Sequence, residues 1–426
     1  VTFHKRSLPI AAGPTCIDLF SGAGGLAEGL RQAGWSVLSG VDIDEDAAAT
    51  FRFNFPEASF FEGSISAVSP KKLLRDAGLR SGELDCLVGG PPCQSFSYNN
   101  HQRSAVNARA KLFRDYLRIL RTIKPKTLVM ENVPGMLTID GGDIIDEIRK
   151  ALRSLEYECE IRVLYAEDYG VPQTRRRAFV MGSRVGAPAA LFPKGMCGPS
   201  KKPSEKVNPF IHRWSIPKNA ERIPFVSVWN AIGDLPPLKS GAGTQTSNYD
   251  SPAKTEFQRR VRGRSALLYN HQCHALTDPM LEKISYVPEG GNWTDIPRRL
   301  LTPGMRRAKM TCHTKRYGRL ARKGLASTLL TKCDPHWGAY IHPTQNRTIS
   351  VREAARLQGF PDRFKFVGDS VSKHYAQVGN AVPVQVAKAL GMALRQHVQT
   401  AEQHARALRR FKARVARNGI RARAGL

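Results

Sequence analysis

The stretch Asp85-Cys86-Leu87-Val88-Gly89-Gly90-Pro91-Pro92-Cys93-Gln94-Ser95-Phe96-Ser97 decides how the rest of the chain is read. The apolar run from Leu84 to Val88 has the length of a short buried strand, and Gly89-Gly90 breaks it. Two prolines then fix φ and remove two backbone donors, which holds Cys93 on a stiff turn. The stretch thus presents one thiol at the carboxyl end of a strand, the edge where ligands sit in open α/β sheets. A bare Pro-Cys pair would more simply be a structural cysteine beside a turn, so its surroundings matter.

Upstream, Thr15 to Leu19 reads as a buried strand and Phe20-Ser21-Gly22-Ala23-Gly24-Gly25 as a glycine-rich turn. Leu26 to Gln32 opens a helix, with Gly34 placed to stop it. A glycine turn between strand and helix is the context a nucleotide site requires. The next strand, Ser36 to Val41, ends on Asp42, where an acid takes ribose hydroxyls. The spacing fits a dinucleotide fingerprint. The same layout serves S-adenosylmethionine, which has the ribose and adenine but no phosphate to cradle. The alternation continues with a helix at Glu45–Phe53, a strand at Ser59–Phe61, a helix at Pro70–Ala77 and the strand before Cys93. Arg109–Ile123 carries apolar residues at helical spacing. Thr127–Met130 is a strand ending on Glu131-Asn132-Val133, Ile144–Leu155 a helix, and Cys159–Leu164 and Ala178–Met181 further strands. Strands alternating with helices predict an α/β fold, a Rossmann-like doubly wound, mostly parallel sheet.

After Ser183 the pattern breaks. Residues 184–209 are rich in Gly, Pro, Lys and Ser, and periodicity stays poor to Tyr340. Order returns at Ser350-Val351-Arg352-Glu353, a capping-box pattern. A long helix is expected at Val384–Thr400, followed by a basic tail that is equally a solvated face or a phosphate contact. The organisation read from this is a catalytic and cofactor-binding domain at 1–183, a smaller irregular recognition domain with its linker at 184–345, a returning segment at 346–400, and a tail at 401–426.

A net charge of +29 on 426 residues points to a polyanionic partner. Basic residues also cluster inside the chain, at Arg259-Arg260, Arg306-Arg307 and Lys315-Arg316, so a tail that only aids solubility does not explain it. No apolar run approaches a membrane span, and no signal-peptide core follows the first residues. Eight cysteines without a dense framework suggest reduced thiols of a cytoplasmic protein. His271, Cys273, His274, Cys312, His313, Cys333 and His336 form no paired knuckles. Only Cys333-x-x-His336 has ligand-like spacing, and no metal is expected.

Cys93, Glu131 and Gln173-Thr174-Arg175-Arg176-Arg177 fall at predicted strand ends or adjoining loops. A thiol, a carboxyl and guanidinium groups beside one crevice suit covalent catalysis on a planar polar substrate. Singly, each has a bland reading, as a capped acid or a surface charge run.

Together these segments resemble the C5-cytosine-specific DNA methyltransferases of prokaryotic type, over nearly the whole ordered length and in that family's order. Asp18-Leu19-Phe20-Ser21-Gly22-Ala23-Gly24-Gly25 resembles the cofactor loop, and Val41-Asp42-Ile43-Asp44 the second cofactor strand. Pro91-Pro92-Cys93-Gln94 is similar to the nucleophile motif, Glu131-Asn132-Val133 to the Glu-Asn-Val motif, and Gln173-x-Arg175-x-Arg177 to the Gln-x-Arg-x-Arg motif. Arg352-Glu353-Ala354-Ala355-Arg356-Leu357-Gln358-Gly359-Phe360-Pro361 and Gln377-Val378-Gly379-Asn380-Ala381-Val382-Pro383 resemble the last two. The resemblance implies methyl transfer from S-adenosylmethionine to C5 of a cytosine flipped out of double-stranded DNA. Cys93 would be the nucleophile and Glu131 would hold the N3/N4 edge. Arg175 would contact the O2 side and Arg177 would fix site geometry. Phe20, Gly22, Gly24, Asp42, Ile43, Ser64, Asn380 and Ala381 would line the cofactor site. Ser64 is a departure, because the family usually has an Asp there to accept from the adenine amino group. A loop from Tyr98 to Asn107 would close over the site. A monomer is expected, with a restriction endonuclease as a possible functional partner.

Competing readings are weaker. A tRNA cytosine methyltransferase would tend to carry a Cys-Phe-Thr string, which the chain lacks. A DNA-binding regulator or inactive homologue would show an altered nucleophile or a missing Glu-Asn-Val. A dehydrogenase would leave Cys93, Glu131 and Arg175 without a role.

Overall fold

The structure, a computed structural model, describes residues 13–91, 103–137, 143–197 and 223–424. In chain order the elements are β1 (Thr15–Leu19), α1 (Gly25–Gln32), β2 (Ser36–Asp42), α2 (Glu45–Asn54), β3 (Ser59–Glu62), α3 (Pro70–Asp76), β4 (Cys86–Gly89), α4 (Arg103–Ile123), β5 (Thr127–Asn132), α5 (Asp143–Ser154), β6 (Glu158–Tyr165) and β7 (Arg176–Ser183). There follow α6 (Val228–Ile232), β8 (Gly243–Ser247), α7 (Glu256–Arg262), β9 (Leu268–Gln272), α8 (Asp278–Ser285), α9 (Pro303–Arg307), α10 (Val351–Leu357), α11 (Val371–Asn380) and α12 (Val384–Ala424).

The local chemistry explains many of these boundaries. Asp44 caps α2 by accepting from the Ala47 amide, and Ser69 caps α3 with Pro70 in its first turn. α1 stops at Gly34, whose positive φ is the left-handed conformation a glycine tolerates best. The predicted capping box at Ser350 and Glu353 is formed.

Strands β3-β2-β1-β4-β5-β7-β6 make one sheet, with β7 antiparallel to both neighbours and the other pairings parallel. The expected doubly wound, mostly parallel sheet is therefore present. Connections leave β1 toward β2 on one side and reach β4 on the other, so the crevice between the ends of β1 and β4 is the topological switch point. Alternating strand residues feed two cores. Cys16, Cys86 and Val88 join α1, α2 and α12 on one face, and Ile17, Leu19 and Leu87 join α4 and α5 on the other.

Three expectations change. The segment Tyr98–Asn107 is not a loop throughout: from Arg103 it is the first part of α4, and 98–102 lie outside the described residues. The last helix does not end near Thr400 but runs unbroken from Val384 to Ala424. The region 184–345, read as irregular, holds a two-stranded antiparallel sheet, β8-β9, and a small core around Trp293. Part of it also packs into the main core, where Val228, Phe257 and Tyr340 meet residues of α10. Buried charges fasten this contact. Arg356 of α10 is paired across it with Asp234, and it is held in place by Asp362, while Arg347 grips Glu353 within the returning segment. Among the described residues no helix is long and apolar enough to cross a membrane.

Candidate active site

The site grows from the turn after β1. Phe20 and Gly22 take positive φ, which swings the Gly22 amide toward the end of β2. There it donates to Asp42 Oδ2 at 2.7 Å, while the Asp44 amide donates to Oδ1 at 3.0 Å. Burial nevertheless pushes the Asp42 carboxyl above its ordinary value. Gly25 permits a close approach: a Cβ there would lie 2.7 Å from the Val382 carbonyl oxygen. The chain after α11 therefore closes directly on the glycine turn, leaving a cavity of about 630 Å³ between them.

Its walls include Phe20, Gly22, Asp42, Ile43, Ser64, Asn380 and Ala381, seven of the eight residues expected to hold the cofactor. Gly24 is the eighth and does not line the cavity; at φ 96 it caps α1 and packs against Phe55. Ser64 begins a short 3-10 turn and accepts weakly from the Ser66 amide at 3.3 Å. Ile43 also lines the cavity and is 72% exposed, an apolar surface open to a ligand.

Sequence reasoning missed a role for Asp18. It is 1% exposed and lines the cavity, and its Oδ2 has no hydrogen-bond partner. Burial drives its carboxyl well above the ordinary range, only partly opposed by the Ala27 amide. An acid inside the otherwise apolar strand Thr-Cys-Ile-Asp-Leu was the available signal. A buried acceptor without a donor, a second carboxylate, an exposed apolar side chain and a glycine turn together fit S-adenosylmethionine. Its ammonium would satisfy Asp18, its ribose would meet Asp42 and its adenine would lie on Ile43.

The same cavity extends to Gly90, Pro91, Glu131, Asn132, Arg175 and Arg177. Cys93 itself lies outside the described residues. The turn that leads to it is held from β5: Asn132 Nδ2 donates to the Pro91 carbonyl at 3.3 Å, and a Cβ on Gly90 would lie 2.9 Å from Glu131 Oε2. Only glycine lets the backbone pass so near the carboxylate. Because β7 runs antiparallel, its first residues return to the edge where β5 ends, which brings Arg177 Nε to 2.7 Å from Glu131 Oε1.

Arg175 lines the same cavity with most of its surface covered. It is 2% exposed, and its guanidinium donates to the carbonyls of Leu329 at 2.9 Å, Gly379 at 2.8 Å and Ala381 at 3.3 Å, leaving only Nε without a partner. Burial first, and then Arg177, hold its proton affinity well below the ordinary value, with Glu131 opposing. It ties the segment after β9 to the end of α11, and Arg177 is the guanidinium paired with Glu131. Gln173 reinforces this tie, donating to Gln358 Oε1 at 2.7 Å and accepting from the Leu329 amide at 3.0 Å.

Residue Leu330 packs its carbonyl against Gly379, a residue of the cavity wall, and its side chain is exposed. From there the chain leads to Trp337, exposed beside Arg316, whose guanidinium carbon lies 5.8 Å from the ring centroid. The neighbouring run Lys309–Lys315 is solvent-exposed throughout. Cys333 is buried, and His336 Nδ1 lies 3.2 Å from the Tyr317 hydroxyl. Among the described residues no group of three or more His, Cys, Asp or Glu could hold a metal ion.

Comparison with known proteins accords with this geometry. Residues 14–396 match the family model for the C-5 cytosine-specific DNA methylase. The chain is 31% identical to the type II methyltransferase M.AgeI of Thalassovita gelatinovora, over 88% of this chain and 97% of that one. It is 32% identical to the type II methyltransferase M.XorII of Xanthomonas oryzae pv. oryzae, covering 89% and 84% respectively. The fold is similar to that of Spodoptera frugiperda DNMT2, with a TM-score of 0.55 at 15% identity over 90% of this chain and 99% of that one. With the cavity at the switch point, the Glu131–Arg177 pair on its wall and the family match across nearly all of its length, the chain belongs to the C-5 cytosine-specific DNA methylases.

Proposed function

We propose that the cavity holds S-adenosylmethionine and a flipped cytosine side by side, and that the chain methylates C5 of a cytosine within a specific double-stranded DNA sequence. The observation that carries this reading is the Glu131–Arg177 pair on the wall of a cavity whose other end has the unpartnered Asp18 acceptor. Bound S-adenosylmethionine supplies an electrophilic methyl group on sulfur. The residues supply the rest. Cytosine C5 is a poor nucleophile until a thiolate adds to C6, and Cys93 is the residue for that addition. As the C6–S bond forms, the C5–C6 electron pair moves into the ring. Glu131 holds the N3/N4 edge and assists protonation at N3, which leaves C5 enamine-like. Arg177, rather than Arg175, orients Glu131 and offers its remaining donors to the substrate. After C5 is alkylated, loss of its proton restores the double bond and expels Cys93. Arg175 acts one layer behind, holding Leu329 and Ala381 in place.

The segment 184–345 would choose the DNA sequence, with Lys332 and Trp337 exposed and Arg316 half-buried beside the Trp337 ring. The type II methyltransferase relatives make restriction-modification the economical setting, with a cognate endonuclease as functional partner.

The test is transfer of labelled methyl groups to duplex DNA and to tRNA. Transfer to duplex, lost in Glu131→Gln and in Arg177→Met, is expected. Transfer to tRNA alone would replace this reading with the RNA one.

A further inference from the structure

The course of α12 gives the basic tail a location that its sequence does not. The helix begins beside the cavity, where Gly25 of α1 abuts Val382, and runs alongside α1, with Gly29 against Ala387 and Gly391 against Ala33. It thereby crosses the sheet from the carboxyl edge of the parallel strands to their amino edge. Three contacts fix the crossing point. His397 Nε2 lies 2.8 Å from Ser183 Oγ at the end of antiparallel β7. Glu402 accepts from Lys126 Nζ at 2.7 Å, just before β5 starts. The same Lys126 donates to Asp85 at 2.7 Å, and Asp85 accepts from the Thr15 amide at the start of β1. Glu402 therefore sits at the edge of the sheet opposite the cavity. From there the helix continues to Ala424, a projection of about 33 Å at about 1.5 Å per residue.

Past Glu402 the sequence has no acid. It has Arg406, Arg409, Arg410, Lys412, Arg414, Arg417, Arg421 and Arg423. Positions 406, 410, 414, 417 and 421 repeat at spacings of three and four, so the helical register sets them within an arc of about 80°. All are arginine, the side chain whose planar fork suits phosphate best. Arg406, Arg409, Arg410 and Lys412 are exposed. The opposite side offers little apolar surface among the described side chains, chiefly Leu408 and Phe411 at 55% and 64% exposure. The charge stripe, rather than the apolar one, is the extended feature.

We propose that residues 403–424 bind a second segment of duplex DNA, distinct from the segment that presents its cytosine to the cavity. The inference rests on the reading that a duplex docks at the cavity edge. A tail leaving the opposite edge of the sheet points away from that duplex and cannot share its phosphates, whereas a second duplex, or a distant part of the same molecule looped back, meets a helix that opens with the exposed Arg406, Arg409, Arg410 and Lys412. Holding two segments would let the protein move between sites without full release.

The experiment uses the full chain bound to saturation with a duplex of about 14 base pairs carrying its methylation site, then offered a second labelled duplex. Second-duplex capture should occur. With five phosphate contacts its affinity should fall several hundredfold between about 50 and 200 mM salt. Deleting residues 403–426, which leaves the Lys126–Glu402 pair intact, should abolish capture. First-duplex affinity and methylation rate should change less than about twofold. If the deletion disturbs folding, the full-length variant carrying Arg406→Ser, Arg410→Ser, Arg414→Ser, Arg417→Ser and Arg421→Ser should show the same split. A parallel loss of first-duplex affinity would place the tail on the target duplex and overturn the proposal. Capture that survives deletion would overturn it too. So would preferential binding of the tail to phosphatidylglycerol vesicles, or a dimer that the deletion converts to a monomer. Absence of methylation by the full chain would sink the underlying reading as well, whereas methylation without second-duplex capture sinks only the tail's role.

Discussion

Replacing Arg175 with methionine keeps most of the side chain's volume and removes its charge and donors. The wild-type guanidinium makes two well-formed bonds, at 2.9 Å to Leu329 and 2.8 Å to Gly379, and a longer one of 3.3 Å to Ala381. Hydrogen bonds to a charged group contribute about 1.5–3 kcal/mol each, so the two good bonds are worth about 3–6 kcal/mol gross. Part of this is returned, because the variant no longer desolvates a guanidinium whose burial already lowers its proton affinity. A net loss of about 2–4 kcal/mol remains, a factor of roughly 30–900 in the folded-to-unfolded ratio. Urea unfolding should show it as a lower midpoint at unchanged slope. The contrasting variant is Arg177→Met. Its ion pair with Glu131 is partly solvated, so the stability change should stay within about 1 kcal/mol, while methyl transfer falls by about 100-fold or more. Wild-type stability for Arg175→Met, together with near-normal transfer by Arg177→Met, would show that the two arginines have been assigned the wrong way round.

Three further outcomes follow from the cavity. Asp18→Asn should stabilise the cofactor-free protein at neutral pH, because the amide is not an acid that burial must hold protonated, and should weaken S-adenosylmethionine binding in calorimetry. The pH dependence has a definite sign. The folded-state pKa of Asp18 is raised, so wild type and variant should be equally stable below the unfolded value of about 3.9, and wild type should lose ground as pH rises through the folded value; a difference constant with pH would contradict this. Ser64→Asp should tighten S-adenosylmethionine about threefold to tenfold by offering a charged acceptor, and unchanged binding would mean that the adenine amino group already has a partner. Gly25→Ala should push the Val382 carbonyl away, costing about 1–3 kcal/mol and raising the KM for the cofactor more than it lowers kcat.

Much of the sheet was legible because strand and helix periods alternate cleanly from Thr15 to Ser183, and much of the cavity wall was legible because a glycine turn and a strand-terminal acid both fall at the carboxyl ends of β1 and β2. Arg175 and Arg177 were not separable in sequence. They are two residues apart on a chain just entering β7, and which one turns inward depends on carbonyls supplied by Leu329 and Gly379, far along the chain. Asp18 was hidden for a related reason: its partnerless oxygen is a property of the cavity, not of its neighbours in sequence. The segment 184–345 resisted periodicity because its order comes from buried ion pairs such as Arg356 with Asp234 and from a small core around Trp293, neither of which repeats at 2 or 3.6 residues. The end of α12 was misjudged because composition changes at Ala401 while the helix does not.

The central claim is covalent catalysis by Cys93, and a duplex whose target cytosine carries fluorine at C5 tests it most directly. Thiolate addition and methyl transfer can both proceed, but fluorine cannot leave as a cation, so elimination is blocked. Protein and DNA should remain joined through denaturation, only when S-adenosylmethionine is present, with a mass that includes the added methyl group and a cross-link that maps to Cys93. Cys93→Ala should form no adduct. An adduct on any other cysteine, or one formed with tRNA and with no DNA, would contradict the account.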